Sequence, residues 1–428
     1  MEQRSGTAKP RARLGLLGAV AVLAVAGAAC GPFGSAPPAP PPPAPVSAQQ
    51  PPSTTAPPST TTTTAPPSTT TAPPSTPTTA PPSTTTTAPP SSGSNAGRVG
   101  VDSSLFWVDE TTSTNALRTL AQGGVTWTRT DFLWGSIEPS PGQWNWSRSD
   151  QLIAASAKTN TNVLAELDYS APWASSDPSG QGDQYYPPRN PSDYAAFASA
   201  VVRRYGPNGS FWSSRPDLTV HPLAAVEIWN EPWGDWFWKP NPDPAAYGQL
   251  VTAAGAAIRS SNPTVKIVVP GDPDATRSDG APQAWLQPLL STPNLGAYVD
   301  AWSVHPYPDP ISNSPQVANP IEYSYQRVSE TQSIASSAGV GRPVWITEIG
   351  WTTATASGGV SLATQQQYLS QALSTALGPW RSYVEHTFVY CWDQDGTNPS
   401  DPQQHYGLRN SDGTMKPAWS AVTAAATS

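Results

Sequence analysis

Short apolar runs alternate with segments of helical periodicity from about Gly97 to the C-terminus. Eight such runs occur, with the sequences RVGVD, VTWTRTDF, TNVLAELD, LAAVEIWNE, VKIVVPG, VDAWSVHPY, PVWITEIGW and TFVYCWDQD. Apolar runs of this length are typical of strands that are buried on both faces of a parallel sheet. Eight strand–helix units therefore predict an α/β fold in which the sheet closes into a single (β/α)8, or TIM, barrel.

The segments between the runs carry helix signals. Asn190 followed by Pro191 is a typical helix start, and Gly206 is a typical stop. Apolar stripes at helical spacing occur in two later segments, at Tyr247, Leu250, Val251, Ala254 and Ile258, and at Leu369, Leu373, Ala376 and Leu377. An open, doubly wound sheet is the alternative architecture, but no glycine-rich phosphate loop follows any of the eight runs.

Residues 1–30 have the pattern of a bacterial export signal. A basic start precedes the apolar stretch from Leu14 to Ala29, which is short for a membrane span and ends in small residues. Cys30 follows in LAVAGAAC, which resembles a lipobox, although Gly27 stands where that pattern prefers leucine. Lipidation of Cys30 and simple cleavage near Ala28 both remain open, with an uncleaved anchor as a third outcome. We expect a secreted or surface-attached protein.

Residues 31–96 are rich in Pro, Thr and Ser and repeat the unit APPSTTTT with small variations. Such a segment has almost no large apolar side chains to bury, so we expect a disordered linker, which is also a candidate for O-glycosylation. Residues 97–428 are then one catalytic domain, long enough for a barrel of about 250 residues with insertions. The linker would hold this domain away from a surface.

Composition narrows the function classes further. The net charge of −8 argues against a nucleic-acid partner. Cys391 is the only cysteine besides Cys30, and its apolar surroundings predict a buried, inert residue. The chain has eighteen tryptophans, and tryptophan stacks on sugar rings; more than half of them are interpreted as core residues.

Polar residues stand at the ends of the eight runs, where a barrel of this kind carries its chemistry. They are Asp102, Arg129, Asp168, Asn230 with Glu231, Asp272, His305 with Tyr307, Glu348, and Trp392 with Asp393. Glu231 and Glu348 end the fourth and seventh runs, and both lie among apolar neighbours, where a carboxylate without a partner is costly. Two carboxyls at one barrel mouth can cleave a glycosidic bond: one protonates the leaving oxygen, and the other attacks the anomeric carbon or activates water.

The motifs resemble those of a known enzyme clan. Trp229-Asn230-Glu231-Pro232 is similar to the acid/base motif of the clan A glycoside hydrolases, and Ile346-Thr347-Glu348-Ile349-Gly350-Trp351 is similar to their nucleophile motif. Arg129 in VTWTRTDFLW, His305-Pro306-Tyr307-Pro308 and the ending YGLRNSDGTMKPAW also resemble clan motifs, in the expected order. The resemblance spans about Gly97 to Ala424 and is greatest to family 39, with family 5 close behind.

The resemblance implies a retaining mechanism on β-glycosidic bonds. Glu348 is then the nucleophile, and Glu231 is first the general acid and then the base. Arg129 and Tyr307 would keep Glu348 ionised, while apolar neighbours and the charge of Glu348 would keep Glu231 protonated. His305 would orient Tyr307 or Glu231, although a purely structural histidine remains open.

Further residues are implied in substrate binding. Asn230 would bind the sugar 2-hydroxyl, Trp392 would form the floor of the subsite nearest the cut, and Trp351 would contact the sugar. Trp233 belongs to a tryptophan-rich loop after the fourth run, for which sugar stacking and core packing are both open. We interpret Glu166 and Glu227 as structural partners of Arg129 or another base, and Glu138 as a structural residue of the turn after the second run.

We expect a monomer that acts on an oligo- or polysaccharide without a metal or other cofactor, because no His, Cys or Asp cluster has metal-ligand spacing. No serine nucleophile elbow occurs either. The sugar and the choice between exo and endo action are not encoded in readable motifs. A carbohydrate-binding protein on an inactive barrel and a surface adhesin on a stalk are the alternative functions. Hydrolysis of aryl β-glycosides and of a polysaccharide panel distinguishes them from an enzyme.

Overall fold

The computed structural model describes residues 94–275, 283–317 and 324–428. Eight parallel strands form one closed barrel with the order β1-β8-β7-β6-β5-β4-β3-β2. The strands are β1 (Val99–Asp102), β2 (Trp127–Asp131), β3 (Asn162–Leu167), β4 (Ala225–Ile228), β5 (Lys266–Pro270), β6 (Ala301–Val304), β7 (Val344–Ile349) and β8 (Val384–Val389). Each of the eight apolar runs contributes one strand, so the predicted barrel is confirmed. The expected export signal, Cys30 and nearly all of the expected linker lie outside the described residues.

Closure of the barrel depends on β1, which pairs with β2 on one side and β8 on the other. Gly100 of β1 lies against Phe388, and a Cβ on Gly100 would lie 2.5 Å from the Phe388 ring. A larger residue in this strand would therefore separate β1 from β8. Glycine allows this close approach because it has no side chain.

Helices follow the strands and cover the barrel. They are α1 (Glu110–Gln122), α2 (Trp134–Ile137), α3 (Ser147–Thr159), α4 (Pro191–Tyr205), α5 (Ser210–Ser214), α6 (Pro244–Ser261), α7 (Leu286–Leu289), α8 (Arg327–Ser337), α9 (Leu362–Leu377) and α10 (Ala418–Thr427). Asn190 is the N-cap residue of α4, Pro191 occupies its first turn, and Gly206 is the C-cap residue, as predicted. Both predicted apolar stripes are buried, one in α6 and one in α9.

A separate apolar cluster fills the barrel with one residue from each of seven strands: Trp127, Leu164, Ala225, Val268, Ala301, Trp345 and Phe388. The larger core lies between the strands and the surrounding helices. Burying a large apolar side chain stabilises the fold by about 1.5–3 kcal/mol, so this interior cluster contributes a rigid support. The polar strand ends lie beyond it, at the C-terminal mouth.

The packed part of the chain begins before Gly97. The backbone N–H of Asn95 donates to the carbonyl of Ser428 at 2.8 Å, and Arg381 donates to the carbonyl of Ser94 at 2.9 Å. The two ends of the domain are thus joined from Ser94 onward, three residues before the predicted boundary.

Within the described ranges, no helix combines the length and apolar character needed to cross a bilayer.

Candidate active site

Glu231 and Glu348 meet at the C-terminal mouth of the barrel. Glu231 follows β4, and Glu348 is the penultimate residue of β7. One oxygen of each carboxyl lies within 4.8 Å of an oxygen of the other, and both side chains are buried. The folding of two distant strands into one barrel therefore brings both glutamates to one site.

The backbone at Glu231, the acid/base candidate, and just before it is strained. Trp229 has a φ of 68° and Glu231 a φ of 41°, both in the left-handed region that non-glycine residues rarely occupy. Such residues cost about 1–3 kcal/mol each and persist where the surrounding packing holds them. Here the Trp229 indole donates to the carbonyl of Phe237 at 2.9 Å, which fixes the turn that presents Glu231.

Arg129 is the centre of a buried carboxylate network. All five of its N–H groups have an acceptor, and the acceptors are Asp102, Glu166, Glu227, Asn230 and Glu348. A guanidinium has five donors in a fixed plane, so this residue is held in one orientation. The predicted pairing of Glu166 and Glu227 with Arg129 is confirmed.

Each oxygen of Glu348 receives a hydrogen bond. Arg129 donates to Oε1 at 2.8 Å, and the hydroxyl of Tyr307 donates to Oε2 at 2.9 Å. Donors to both oxygens fix the plane of this carboxyl group. This is the environment that a nucleophilic carboxylate needs.

Glu231 has a different environment. Burial raises its pKa to about 7, and the charge of Glu227 acts in the same direction, while Trp236 and Arg129 act against it. Trp236 Nε1 donates to Oε2 of Glu231 at 2.9 Å. Burial agrees with the expected effect of apolar neighbours, whereas the charge that raises this pKa is that of Glu227 and not that of Glu348. A carboxyl with a pKa near 7 can hold a proton at neutral pH and release it during catalysis.

His305 connects Glu231 to β7. Its Nδ1 lies 2.7 Å from Oε1 of Glu231, and its Nε2 lies 3.0 Å from Oγ1 of Thr347. Burial lowers the pKa of His305. The backbone N–H of His305 donates to Asp272, which in turn accepts from Arg327. His305 was expected to orient either Tyr307 or Glu231, and these contacts favour Glu231.

Asn230 links the arginine network to the loop after β3. Its Oδ1 accepts from Arg129 at 3.1 Å, and its Nδ2 donates to the hydroxyl of Tyr169 at 2.9 Å. An NH2 group has two hydrogens, and one of those on Asn230 has no acceptor among the described residues.

A cavity of about 490 Å³ opens beside Glu231. Aromatic and apolar side chains dominate its wall, among them Trp233, Trp236, Tyr307, Ile311 and Tyr406. Its remaining lining residues are His305, Pro308, Asp309, Pro310, Ser312, Thr352, Ser357, Gly358, Pro402 and Gln403. A mostly apolar wall with a few polar groups is typical of a small-molecule or sugar site.

Residues 91–395 match the family model described as Cellulase (glycosyl hydrolase family 5). The chain belongs to glycoside hydrolase family 5. The matched residues include all eight strands and both glutamates, so the clan resemblance is confirmed. The matching model is that of family 5, which the motifs placed close behind family 39.

Solved structures resemble this family 5 hydrolase in fold. A family 39 glycoside hydrolase from Bacteroides cellulosilyticus WH2 has a TM-score of 0.58 and 22% identity over 78% of this chain, which spans 64% of that protein. A glucosidase from Croceicoccus marinus has a TM-score of 0.53 and 13% identity over 78% of this chain and 68% of its own.

A third relative is the intracellular xylanase of Thermoanaerobacterium saccharolyticum JW/SL-YS485, solved with xylotetraose. Its TM-score is 0.51, with 12% identity over 77% of this chain and 95% of the xylanase. At such identities the similarity shows the barrel fold. No curated protein matches the family 5 hydrolase in sequence.

The three predicted sugar-contacting tryptophans differ in whether they line the cavity. Trp351 is fully buried, packs against Tyr368 of α9 and donates to the carbonyl of Asn313 at 2.9 Å. Trp392 is buried as well, with the guanidinium of Arg409 4.9 Å from the centre of its ring and Trp419 beside it. Neither lines the cavity, because both rings pack among outer elements. Trp233 does line it.

Tyr390 lies close to the active-site tyrosines. It directly follows β8, and its ring packs against Tyr406, a wall residue of the cavity. Its charge also contributes to the raised pKa of Tyr307, so it lies near the donor to Glu348.

The remaining assignments concern structural residues. Glu138 accepts from Trp134 Nε1 and from the backbone N–H of Gly142, both at 2.7 Å, which supports a role in the turn. Cys391 is buried, as predicted. Thr347 lies inside the motif around Glu348 and Tyr406 begins YGLRNSDGTMKPAW, yet neither was assigned a role, because neither motif shows where these side chains point.

Two sets of side chains in the described ranges have the spacing that a metal ion requires. They are Glu231, His305 and Glu348, and Asp131, Glu166 and Asp168. Donors already occupy the first set, and in the second Trp107 donates to Asp131 and Arg129 to Glu166. Burial also raises the pKa of Asp168 well above its usual value, so a proton can balance its charge. We assign no metal to either set.

Proposed function

We propose that this family 5 hydrolase cleaves β-glycosidic bonds of an oligo- or polysaccharide with retention of configuration. The observation that carries the proposal is the pair of close carboxyls in opposite electrostatic environments. Glu348 has a cationic and a phenolic donor, whereas the pKa of Glu231 is raised to about 7. Retaining enzymes have carboxyls about 5–5.5 Å apart, and inverting enzymes need about 6.5–9.5 Å for a water. The approach of two oxygens within 4.8 Å supports retention.

In the first step, a carboxylate oxygen of Glu348 attacks the anomeric carbon. The bond from that carbon to the glycosidic oxygen breaks, and Glu231 transfers its proton to that oxygen. The leaving group departs as an alcohol, and the sugar remains as an ester of Glu348. Arg129 and Tyr307 hold the attacking carboxylate in place, so that little reorganisation precedes the attack.

In the second step, a water takes the place of the leaving group. Glu231, now a carboxylate, accepts one proton of this water while the water oxygen attacks the anomeric carbon. The ester bond to Glu348 breaks and releases Glu348 as a carboxylate. Both glutamates return to their starting protonation states, and the sugar is released with its original anomeric configuration.

The aromatic cavity suits the leaving group. Glu231 lines it and Glu348 does not, so it lies on the side of the general acid. Trp233, Trp236 and Tyr406 supply flat faces for sugar rings. The xylanase relative binds xylotetraose, which supports an oligomeric sugar as the substrate class. We propose a polysaccharide, with internal cleavage as the favoured mode, reached from a surface-attached or secreted position.

Trapping of the covalent intermediate tests this proposal. Aryl 2-deoxy-2-fluoro-β-glycosides of several sugar configurations would be incubated with the enzyme, and its peptides analysed by mass spectrometry. One configuration should label Glu348 stoichiometrically, and the Glu348→Gln variant should not be labelled. The exposed Glu330→Gln substitution serves as the matched control and should be labelled like the native enzyme. Inverted product by NMR, or a label on another residue, would refute the assignment.

A further inference from the structure

A continuous chain of hydrogen-bonded groups runs from Glu231 back to Arg129. Glu231 Oε1 is 2.7 Å from His305 Nδ1, and His305 Nε2 is 3.0 Å from Thr347 Oγ1. The Thr347 hydroxyl is 3.1 Å from Oε1 of Glu227, whose Oε2 accepts from Arg129 Nε at 2.7 Å. All of these side chains are buried. Water therefore does not compete for the contacts.

The direction of each hydrogen bond follows from Glu227, the acceptor toward the Arg129 end of this series of hydrogen bonds. Glu227 faces Arg129, and a carboxylate has acceptors only, so the Thr347 hydroxyl must donate to it. A hydroxyl has one proton. Thr347 can then only accept from His305, which places the ring proton on Nε2.

The other ring nitrogen faces Glu231 as a consequence. Burial lowers the pKa of His305, so the ring is neutral and carries one proton. With that proton on Nε2, Nδ1 presents a lone pair. The short contact between Nδ1 and Glu231 Oε1 is satisfied only if Glu231 supplies the proton.

We propose that Thr347, anchored by Glu227, is a positioning residue that fixes the tautomer of His305 and thereby retains the catalytic proton on Glu231. This inference rests on the proposed role of Glu231 as general acid and base. It adds to that role a reason why the acid is protonated in the free enzyme. Thr347 does not touch the substrate and acts through His305.

The same tautomer serves both steps. Before the first step, the lone pair of Nδ1 stabilises the protonated form of Glu231, which gives up the proton when the glycosidic oxygen competes for it. Afterwards, the lone pair faces the ionised Glu231 and raises its affinity for a proton. A more basic Glu231 then accepts more readily from the attacking water.

Other charged groups around this pair remain in place when the hydroxyl is removed. Arg129 and Glu227 act on Glu231, and Trp236 donates to it. Glu348, Arg129, Glu227 and Asp272 act on His305, and Glu348 Oε1 lies 3.6 Å from Nδ1. None of them holds the Nε2 proton. The tautomer is therefore the property that a change at Thr347 alters.

Thr347→Val removes the hydroxyl and keeps the side-chain shape. Nε2 then has no acceptor, and a buried N–H without an acceptor is costly, so the proton should move to Nδ1. Nδ1 would donate to the ionised Glu231. The basic limb of kcat/KM against pH should move to lower pH by about one unit or more, the size of one charge-assisted hydrogen bond.

Two further variants control this experiment. Thr347→Ser keeps a hydroxyl and should restore the native pH limb. Thr387→Val makes the same substitution in β8, at a buried threonine whose hydroxyl has no partner among the described residues, and should leave the limb where it is. A basic limb that stays in place in Thr347→Val, or that shifts equally in Thr387→Val, would overturn the proposal.

Nitrogen-15 NMR of the histidine side chains gives a readout independent of activity. The chain has four histidines, so His305 is assigned by comparison with His305→Gln. The native enzyme should show the Nε2–H tautomer, and Thr347→Val the Nδ1–H tautomer. An Nδ1–H tautomer or an imidazolium in the native enzyme at neutral pH would refute the inference. Failure of the proposed function would show separately, as absent labelling of Glu348.

Discussion

Nδ1 of His305 lies 2.7 Å from Oε1 of Glu231, in a buried part of the barrel mouth. This contact joins the strand-end motif of β6 to the acid/base candidate after β4. Both groups are removed from water, and burial moves their pKa values in opposite directions, upward for the carboxyl and downward for the imidazole. The neutral pair is therefore favoured over the ion pair.

The pH dependence of the native enzyme should follow from this pair. A general acid must be protonated to act. Burial raises the pKa of Glu231 to about 7, so Glu231 stays protonated up to a higher pH than an ordinary carboxyl group. We expect kcat/KM to reach a plateau just below pH 7 and to fall about tenfold per pH unit above it. A profile measured with an aryl β-glycoside checks this. A basic limb near pH 5 would contradict it.

Glu348→Ala should lose turnover by several powers of ten while retaining the fold. The covalent intermediate cannot form without the carboxylate, and each tenfold loss corresponds to about 1.4 kcal/mol of barrier. Azide is small enough to occupy the vacated space and should restore cleavage of an activated substrate. The product would be the glycosyl azide with inverted configuration, identified by NMR. Circular dichroism is the control for folding, and native-like turnover by this variant would refute the nucleophile assignment.

Much of the fold and the central pair could be predicted from the sequence. The eight apolar runs predicted the eight strands, because a strand inside a barrel is buried on both faces and shows this as a continuous apolar run. Glu231 and Glu348 were located as the two glutamates at strand ends. Arg129 was recognised by its motif, and the parity of Glu166 and Glu227 along their strands indicated that they point into the barrel, toward Arg129 or another base.

The rest of the site depends on loops and on contacts distant in sequence. Trp351 and Trp392 end strand motifs, yet both rings are buried among outer elements. No periodic pattern in the sequence shows how a ring is oriented beyond the end of a strand. Tyr406 reaches the cavity from a long loop whose path is not encoded locally. The hydrogen bonds of Thr347 join β7 to β4 and β6, and only the closed barrel brings these together.

The loss of rate in Glu231→Ala should depend on how readily the leaving group of the substrate departs. An activated phenolate leaves without protonation, so the first step on such a substrate should change little. On a natural sugar–sugar bond the loss should be about 10²–10⁴-fold, the usual contribution of general acid catalysis. The second step loses its base, so the ester on Glu348 should accumulate and be visible by mass spectrometry. Equal losses on both substrates without a trapped ester would refute the acid/base assignment of Glu231.

Removal of residues 1–93 should leave a folded and fully active enzyme. The linker part of this segment, residues 31–93, has almost no large apolar side chains to contribute to the core, and the apolar stretch before it belongs to the expected export signal. Starting instead at Gly97 removes the hydrogen bonds of Ser94 and Asn95 to Arg381 and Ser428. Because these contacts are largely exposed, their loss should lower the free energy of unfolding by only about 1–3 kcal/mol. Thermal unfolding of the two truncated chains checks this, and a large loss on removing 1–93 would contradict it.

Trp236→Phe should move the basic limb in the direction opposite to Thr347→Val. Trp236 Nε1 donates to Oε2 of Glu231 at 2.9 Å, and this hydrogen bond lowers the pKa of Glu231. Phenylalanine keeps an aromatic face in the cavity but has no donor. The ionised form of Glu231 then loses a stabilising partner, so the pKa of Glu231 should rise and the limb should move to higher pH.

The matched substitution is Trp233→Phe. Trp233 lines the same cavity and packs edge-on against His305, with ring centres 5.3 Å apart. Its replacement should change KM through lost contact area. Unlike Trp236→Phe, it should leave the basic limb in place. Profiles of kcat/KM against pH for both variants, taken with one aryl glycoside, make the comparison. If the limb of Trp236→Phe stays in place or moves down, the hydrogen bond from its indole does not control the protonation of Glu231.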